Sequence, residues 1–296
     1  MAEQDPSVPA LFDLSALTPT APPSSSFMDL EDPRYAYMYG FLQADGHLSA
    51  GPGPKGSLAV EINARDIQIL REFQQLTPYS SSIKERTRAT NFSESHHSAT
   101  WSLCALEART VLNRLGLPYG KKSKKITPPR VPFSRRDYLR GVIDADGSVG
   151  FTGQGFPFVS LTTSGTAVGA YLCHYAKKVT GAERRITRNT RDGVYNVIYT
   201  KEAAVQLAAH LYYSGCLAPE RKRTAAESLG AWARPEGMRI SSHRRWKPSE
   251  DRVLLAHGNA ASAAGELGRT EQSCSLRLWR LKTGRVPMPP EKPPHL

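Results

Sequence analysis

The chain has 296 residues, with 39 Lys and Arg against 27 Asp and Glu, a formal net charge of +12. That length allows two ordinary domains, and the positive balance points to a polyanion, nucleic acid before an anionic membrane surface. No apolar run reaches transmembrane length, no basic start leads into an apolar stretch, and the four cysteines form no Cys-x-x-Cys pair. A membrane protein, a secreted one and a zinc or disulfide scaffold are therefore all disfavoured, and a cytoplasmic protein with free thiols is expected.

Residues 1–30 are rich in Pro, Ser and Ala and hold Glu3, Asp5, Asp13 and Asp29 with no Lys or Arg. Their apolar residues are unpatterned, which predicts a disordered tail. A first folded unit is expected over 31–120. Asp32-Pro33 opens a helix with Pro at its first position. Gly40 and Ala44 stand four residues apart on one face of that helix, a spacing that lets a second helix approach closely. Gly46 is expected to end it in the left-handed region. Asp45 is then left at the C-terminal end, where the helix dipole disfavours a carboxylate by up to about 1 kcal/mol.

Strands follow at 47–50 and 56–62, joined by the Gly51-Pro52-Gly53-Pro54 turn. A helix from Asp66 turns Ile69, Leu70 and Phe73 inward; strands at 81–88 and 97–104 and a helix at 106–115 complete the unit. In the first of that second strand pair, Lys84, Arg86 and Arg88 alternate and so project from one face, towards nucleic acid if it lies there. His96 and His97, adjacent on a strand, point to opposite faces and cannot readily chelate one metal.

A basic linker occupies 121–133, with Lys121, Lys122, Lys124 and Lys125 close together. The second unit, 134–228, repeats the order of the first. Its opening helix carries Gly141, Ala145, Asp146 and Gly147 at the places of Gly40, Ala44, Asp45 and Gly46. Strands are expected at 148–152 and 156–162, a helix at 166–179 ending at Gly181, strands at 183–190 and 194–200, and a helix from Glu202 to Tyr213. Arg185, Thr187, Asn189 and Arg191 repeat the alternating strip of Lys84, Arg86 and Arg88, and Arg221-Lys222-Arg223 is the counterpart of the basic linker. The chain thus reads as a tandem duplication of a unit of roughly a hundred residues. If the two glycine-bearing helices pack together, Asp45 and Asp146 meet, and paired carboxylates either share a proton or bind a cation.

A linker at 229–245 leads to a module at 246–285 of different composition. Trp246 to Leu255 reads as a helix start, Asn259 caps a second helix ending at Gly268, and Thr270 opens a third with Cys274, Leu278 and Leu281 on one face. Three short helices with tight turns suit a helix-turn-helix. Arg269, Gln272, Ser275, Arg277 and Arg280 are its candidates for DNA contact. Residues 286–296 are a Pro-rich tail.

These residues carry two resemblances. Leu139-Arg140-Gly141-Val142-Ile143-Asp144-Ala145-Asp146-Gly147 matches the LAGLIDADG homing-endonuclease motif at seven of nine places. Met38 to Gly46 keeps Gly40, Ala44, Asp45 and Gly46, with Gln43 where the motif has its first Asp. The Trp246-x-x-x-Glu250-Asp251 opening and the Leu267-Gly268-Arg269-Thr270 corner resemble Myb/SANT-like domains, although Lys247 stands where those domains carry a capping Ser or Thr.

The first resemblance implies an α+β fold: tandem αββαββα units forming a pseudo-twofold saddle along DNA, followed here by a small all-α three-helix domain. It implies a monomeric, Mg²⁺-dependent DNA endonuclease acting on a long asymmetric double-stranded target. Asp45 and Asp146 would hold divalent ions, joined by the backbone carbonyls of Ala44 and Ala145. A Lys or Arg of each unit would sit beside the metals. Spacing does not choose among Lys121, Lys122 and Lys124, and Lys122 with Lys222 are taken as the charge-stabilising pair, leaving Lys121 and Lys124 as DNA contacts. Two other readings use the same fold: a WhiA-type transcription regulator that binds DNA without cutting, and an RNA-splicing maturase.

Overall fold

The computed structural model describes residues 26–90, 93–189, 192–238 and 246–290. The chain divides into two compact units, Met1–Arg234 and Pro235–Leu296. The larger has mixed α+β structure and contains one element order twice. Its first half runs α1 (Pro33–Ala44), β1 (His47–Leu48), β2 (Leu58–Asn63), α2 (Ile67–Leu76), β3 (Ser81–Thr90), β4 (Ser93–Leu103), α3 (Leu106–Arg114). Its second runs α4 (Arg135–Asp146), β5 (Gly147–Phe151), β6 (Pro157–Thr163), α5 (Thr166–Thr180), β7 (Thr187–Arg188), β8 (Tyr195–Thr200), α6 (Glu202–Leu211). Each half builds one antiparallel four-stranded sheet, in the orders β1-β2-β4-β3 and β5-β6-β8-β7.

Helices α1 and α4 form the seam between the halves. Asp32 caps α1, its carboxylate accepting from the Arg34 N–H at 2.8 Å, and Pro33 takes the first helical position. From Tyr35 to Gln43 every residue of α1 is buried, as a helix enclosed on all sides must be. A Cβ on Gly40 would overlap the Tyr138 carbonyl, and one on Gly141 would overlap the Tyr37 carbonyl and stand 2.9 Å from the Phe41 nitrogen. Backbone therefore meets backbone at this seam, which only glycine permits.

Gly46 and Gly147 have a different task from the expected one. Neither lies in the left-handed region, and Gly147 is extended at φ −117°. They are glycine for want of space. A Cβ would come within 2.6 Å of the Leu42 carbonyl oxygen at Gly46 and within 2.7 Å of the Ile143 carbonyl oxygen at Gly147.

In each sheet one face is packed and the other open. In the first, Leu58, Val60, Ala99, Trp101 and Leu103 face the core with Ile69, Leu70 and Phe73 of α2. In the second, Val159, Leu161, Val197 and Tyr199 do so with Val168, Leu172 and Leu207 of α5 and α6. One further helix, α7 (Glu220–Leu229), was not expected from sequence. It contains the Arg221-Lys222-Arg223 run and buries Lys222, Ala226 and Leu229.

The smaller unit has three helices, α8 (Pro248–His257), α9 (Ala260–Leu267) and α10 (Glu271–Lys282). They close over Leu254, Ala263, Leu267, Cys274, Leu278 and Leu281. Asn259 and Thr270 cap α9 and α10 as the sequence indicated. At α8, Glu250 reaches back to accept the Lys247 N–H at 2.9 Å, so the cap comes from inside the helix and the non-capping Lys247 is tolerated. Among the described residues no helix is long and apolar enough to cross a membrane.

Candidate active site and nucleic-acid face

The backbone contact at Gly40 and Gly141 brings the two helix ends together. Asp45 caps α1 and Asp146 is the last residue of α4, close enough for each carboxyl to influence the ionisation of the other. Both carboxyls are harder to ionise than an ordinary Asp. For Asp146 the value rises to about 6, chiefly through burial and then through the charge of Asp45, with Lys122 and Lys222 opposing. For Asp45 burial again raises it, and Lys122 opposes most. Two acids in one small space, where the charge of Asp45 disfavours the ionisation of Asp146, are poised to share a proton or to take up a cation.

A reciprocal pair of hydrogen bonds fixes the seam just above them. Tyr37 of α1 donates to Asp144 of α4 at 3.0 Å, and Tyr138 of α4 donates to Gln43 of α1 at 2.7 Å. Gln43 therefore fills the role of the motif's missing first Asp as a neutral acceptor. Its amide also donates to the Tyr39 hydroxyl at 3.0 Å and the Thr127 carbonyl at 3.1 Å. Asp144 also accepts from Tyr212 at 2.5 Å and is held up to about 6, mainly by burial. Both side chains belong to the packing of the seam.

Of the lysines left open by spacing, Lys122 is the one at the site. Its ammonium donates to the carbonyls of Leu42 (3.3 Å), Gln43 (2.8 Å) and Ala44 at the end of α1. Lys222, from α7, does the same for α4, donating to Ile143 (2.8 Å), Asp144 (2.7 Å) and Gly147 (2.9 Å). Each cation thus gathers carbonyls at the C-terminal end of its helix, at the negative end of the dipole. Desolvation pulls Lys122 down to about 8 against the raising influence of Asp146 and Asp45. It lowers Lys222 as well. The Ala44 carbonyl is engaged by Lys122, and Ala145 lines a cleft of about 240 Å³ beside Asp45. Lys121 and Lys124 are exposed on the turn that carries Lys122, around a separate hollow that His47 also lines.

Sequence reasoning missed the rest of that cleft: Glu61 and Asn63 at the end of β2, Asp66 ahead of α2, and Arg221. Arg221 of the second half grips Asp66 of the first through two nitrogens at 2.8 and 2.9 Å. The acids were visible as single letters, but nothing local said which arginine would cross the seam.

Among the described residues no group of three or more His, Cys, Asp or Glu side chains could hold a metal ion. The donor chemistry present is two carboxylates, and that fits a hard cation which keeps several waters and completes its shell with phosphate oxygens. It does not fit a structural zinc.

The basic strips differ between the halves. Lys84, Arg86 and Arg88 lie exposed on β3, in rows with Thr100 and Glu61, Ser98 and Asn63, and His96 respectively. Arg88 also bonds Glu61 at 3.2 Å. On the opposite face, His97 pairs with Glu85 at 2.9 Å instead of joining a metal site. The matching strip in the second half is not a strand. Only Thr187–Arg188 pairs with β8, so Arg185 and Asn189 fall outside the ladder and need not alternate, and Arg191 lies outside the described residues. Among the described residues the run from 182 to 186 pairs with no strand.

In the three-helix unit, two candidate contacts are already committed inside the fold. Arg269 pairs with Glu250 at 2.8 Å and stacks on Trp246, its centre 4.1 Å from the ring. Arg277 pairs with Asp251 at 2.6 Å. Both acids are buried, so these pairs tie the helices together and engage the two arginines within the unit. Gln272, Ser275 and Arg280 remain exposed, beside exposed Leu276 and Trp279.

No family model matches the chain, and no curated protein matches it by sequence. Several solved structures resemble it. Mesophilic variants of the homing endonuclease I-DmoI share 15% identity over 66% of this chain and 97% of that one, with a TM-score of 0.44. The LAGLIDADG homing endonuclease I-LtrWI, bound to target DNA, shares 10% over 67% and 88%, at 0.41. Full-length DUF199/WhiA from Thermatoga maritima shares 10% over 90% and 95%, at 0.40. At these scores none of them decides the fold or the chemistry; the fold is read from the element order and strand pairing of the chain itself.

Proposed function

We propose that the chain is a double-strand DNA endonuclease of the LAGLIDADG homing type, acting through divalent cations held by Asp45 and Asp146. The observation that carries this reading is the pair of acids, each sensing the other, at the foot of two helices in backbone contact. A helix C-terminus is the wrong electrostatic place for one carboxylate, and here two are brought together at such ends. A bound cation, most suitably Mg²⁺, would polarise the scissile phosphate and lower the pKa of an attacking water. Asp45 and Asp146 would hold the ions in place, with the Ala44 and Ala145 carbonyls as further ligands. Lys122 and Lys222 would place positive charge at the two edges of the site, where negative charge grows on the leaving oxygens.

The uncovered sheet faces would receive the duplex, with Lys84, Arg86 and Arg88 on one side, Arg185, Thr187 and Asn189 near the other, and Lys121 and Lys124 on the turn that carries Lys122. The three-helix unit, read as a helix-turn-helix, would add contacts through Gln272, Ser275 and Arg280 and hold the enzyme on its target. The two halves present different residues, which suits a monomer facing an asymmetric site.

A plasmid carrying the natural insertion locus, incubated with the full chain and Mg²⁺, tests the reading. Linearisation is expected, with none from Asp45→Asn or Asp146→Asn and little change in their DNA affinity. Cutting by either variant would remove the acids from the mechanism.

One observation favours a second reading, a DNA-binding regulator without nuclease activity. Both lysines already spend their three donors on backbone carbonyls, as helix caps would. Retention of the plasmid without any cleavage, with all four residues intact, would select it.

A further inference from the structure

The two open sheet faces differ in chemistry as well as in sequence. Along the first, the rows across the strands are Lys84–Thr100–Glu61 and Arg86–Ser98–Asn63, with Arg88 opposite His96 beyond them. Along the second, the rows are Thr187–Asn196–Thr162, then Ile198–Ser160–Ser148, then Thr200–Phe158–Gly150. Not one residue of that second set carries a charge. Charge is absent from the whole of β5, β6 and β8, whose only polar groups are hydroxyls and the Asn196 amide.

Two features make this face more than a plain polar surface. Ile198 stands 46% exposed at its centre, an apolar branched side chain on an open face, with Arg184 donating to its backbone carbonyl at 3.2 Å. Beside it, the Thr162 hydroxyl donates to the Asn196 side-chain oxygen at 2.9 Å. That bond engages one lone pair of the amide oxygen of exposed Asn196, whose inventory still includes an NH₂ group and a second oxygen lone pair. An amide next to exposed methyl groups matches the major-groove edge of an A·T pair. Adenine offers N6–H and N7 to an Asn in a two-bond contact, and thymine offers its methyl group to an apolar side chain. The first face offers the opposite chemistry, since Arg and Lys pair with the guanine O6 and N7 acceptors.

Resting on the reading of the chain as a duplex-DNA binder, we infer that its two halves read base pairs of opposite kind. The second sheet selects A·T pairs through Asn196 and Ile198, with Thr162 positioning the amide. The first selects G·C pairs through Arg86 and its neighbours. The target is thus asymmetric in base composition, A·T-rich under one half, and affinity for that half depends little on phosphate neutralisation by strand residues.

Selection by the full chain from a duplex library randomised across its centre tests this, with bound fractions sequenced. A consensus with one A·T-rich flank and one G-bearing flank is expected. Asn196→Ala and Ile198→Asp should each relax the A·T flank alone, weakening binding to the selected duplex by roughly tenfold or more. Arg86→Ala should relax only the other flank. Ile198→Thr, which keeps a methyl group in place, should retain the A·T preference and shows that the position tolerates change without loss of the fold. Duplexes bound without an A·T-rich flank, or a flank unmoved by Asn196→Ala and Ile198→Asp, would overturn the inference and leave duplex binding standing. Recovery of no duplex at all would overturn the DNA-binding reading beneath it.

Discussion

Gly141→Ala sets two effects of opposite sign against each other. In mid-helix the exchange gains about 1 kcal/mol of helix propensity, because Ala loses less backbone freedom on folding. Here the new methyl would overlap the Tyr37 carbonyl and stand 2.9 Å from the Phe41 nitrogen. Both are backbone atoms of a fully buried helix, so no side chain can swing aside; the helices must part by roughly an ångström, which costs about 3 kcal/mol or more in lost packing. The same movement stretches the Tyr37–Asp144 and Tyr138–Gln43 bonds and draws Asp45 from Asp146. The net expectation is a loss of about 2 kcal/mol, a melting temperature lower by roughly 5 °C in a unit of this size. Divalent-cation affinity should fall further than stability does. Thermal unfolding with and without Ca²⁺, beside a Gly153→Ala control where a Cβ meets nothing within 4 Å, measures both. A Gly141→Ala protein as stable as the parent, with undiminished cation binding, would show that the helices do not touch at backbone level.

Cation affinity should rise with pH through about 6, because Asp146 holds its proton up to there and only the carboxylate is a ligand; calorimetric titration with Ca²⁺ between pH 5 and pH 8 reads this. Asp144 has a folded value of about 6, above its unfolded one, so the native state binds more protons between roughly pH 4 and pH 6 and stability falls as pH rises through that window. Asn at 144, like Gln43 in the other half, should flatten part of that slope and add about 2 kcal/mol at neutral pH, as urea unfolding at several pH values would show. Lys222→Met removes an ammonium from the carbonyls of Ile143, Asp144 and Gly147 and should cost about 2 kcal/mol in the same assay, while Lys222→Arg recovers part of it. Arg109, wholly buried, donates to the carbonyls of Gly53, Pro54 and Cys104 at 3.0–3.1 Å. Arg109→Ala should release the Gly51–Gly56 turn, seen as faster amide exchange there and a loss of about 2 kcal/mol.

Much of the fold was open to reading because it is local. Alternation along Leu58, Val60 and Ile62, the Gly-Pro turns, the caps at Asp32, Asn259 and Thr270, and the repeat of Gly40-x-x-x-Ala44-Asp45 at Gly141-x-x-x-Ala145-Asp146 are periodicities and end signals that a linear chain carries within a few residues. The pairing of the two acids followed from small residues at helical spacing. Folding in three dimensions settled what depends on partners distant in the chain. Lys122 stands apart from Lys121 and Lys124 only because the turn delivers its ammonium to the end of α1. Arg269 and Arg277 look like any exposed basic residues until the buried acids Glu250 and Asp251 claim them. Arg185 and Asn189 alternate like a strand, yet a strand exists only where a neighbour supplies hydrogen bonds, and β8 pairs with two residues there. Composition and spacing state which groups a chain owns; desolvation and opposed charge, which act through space, state which of them are left for a ligand.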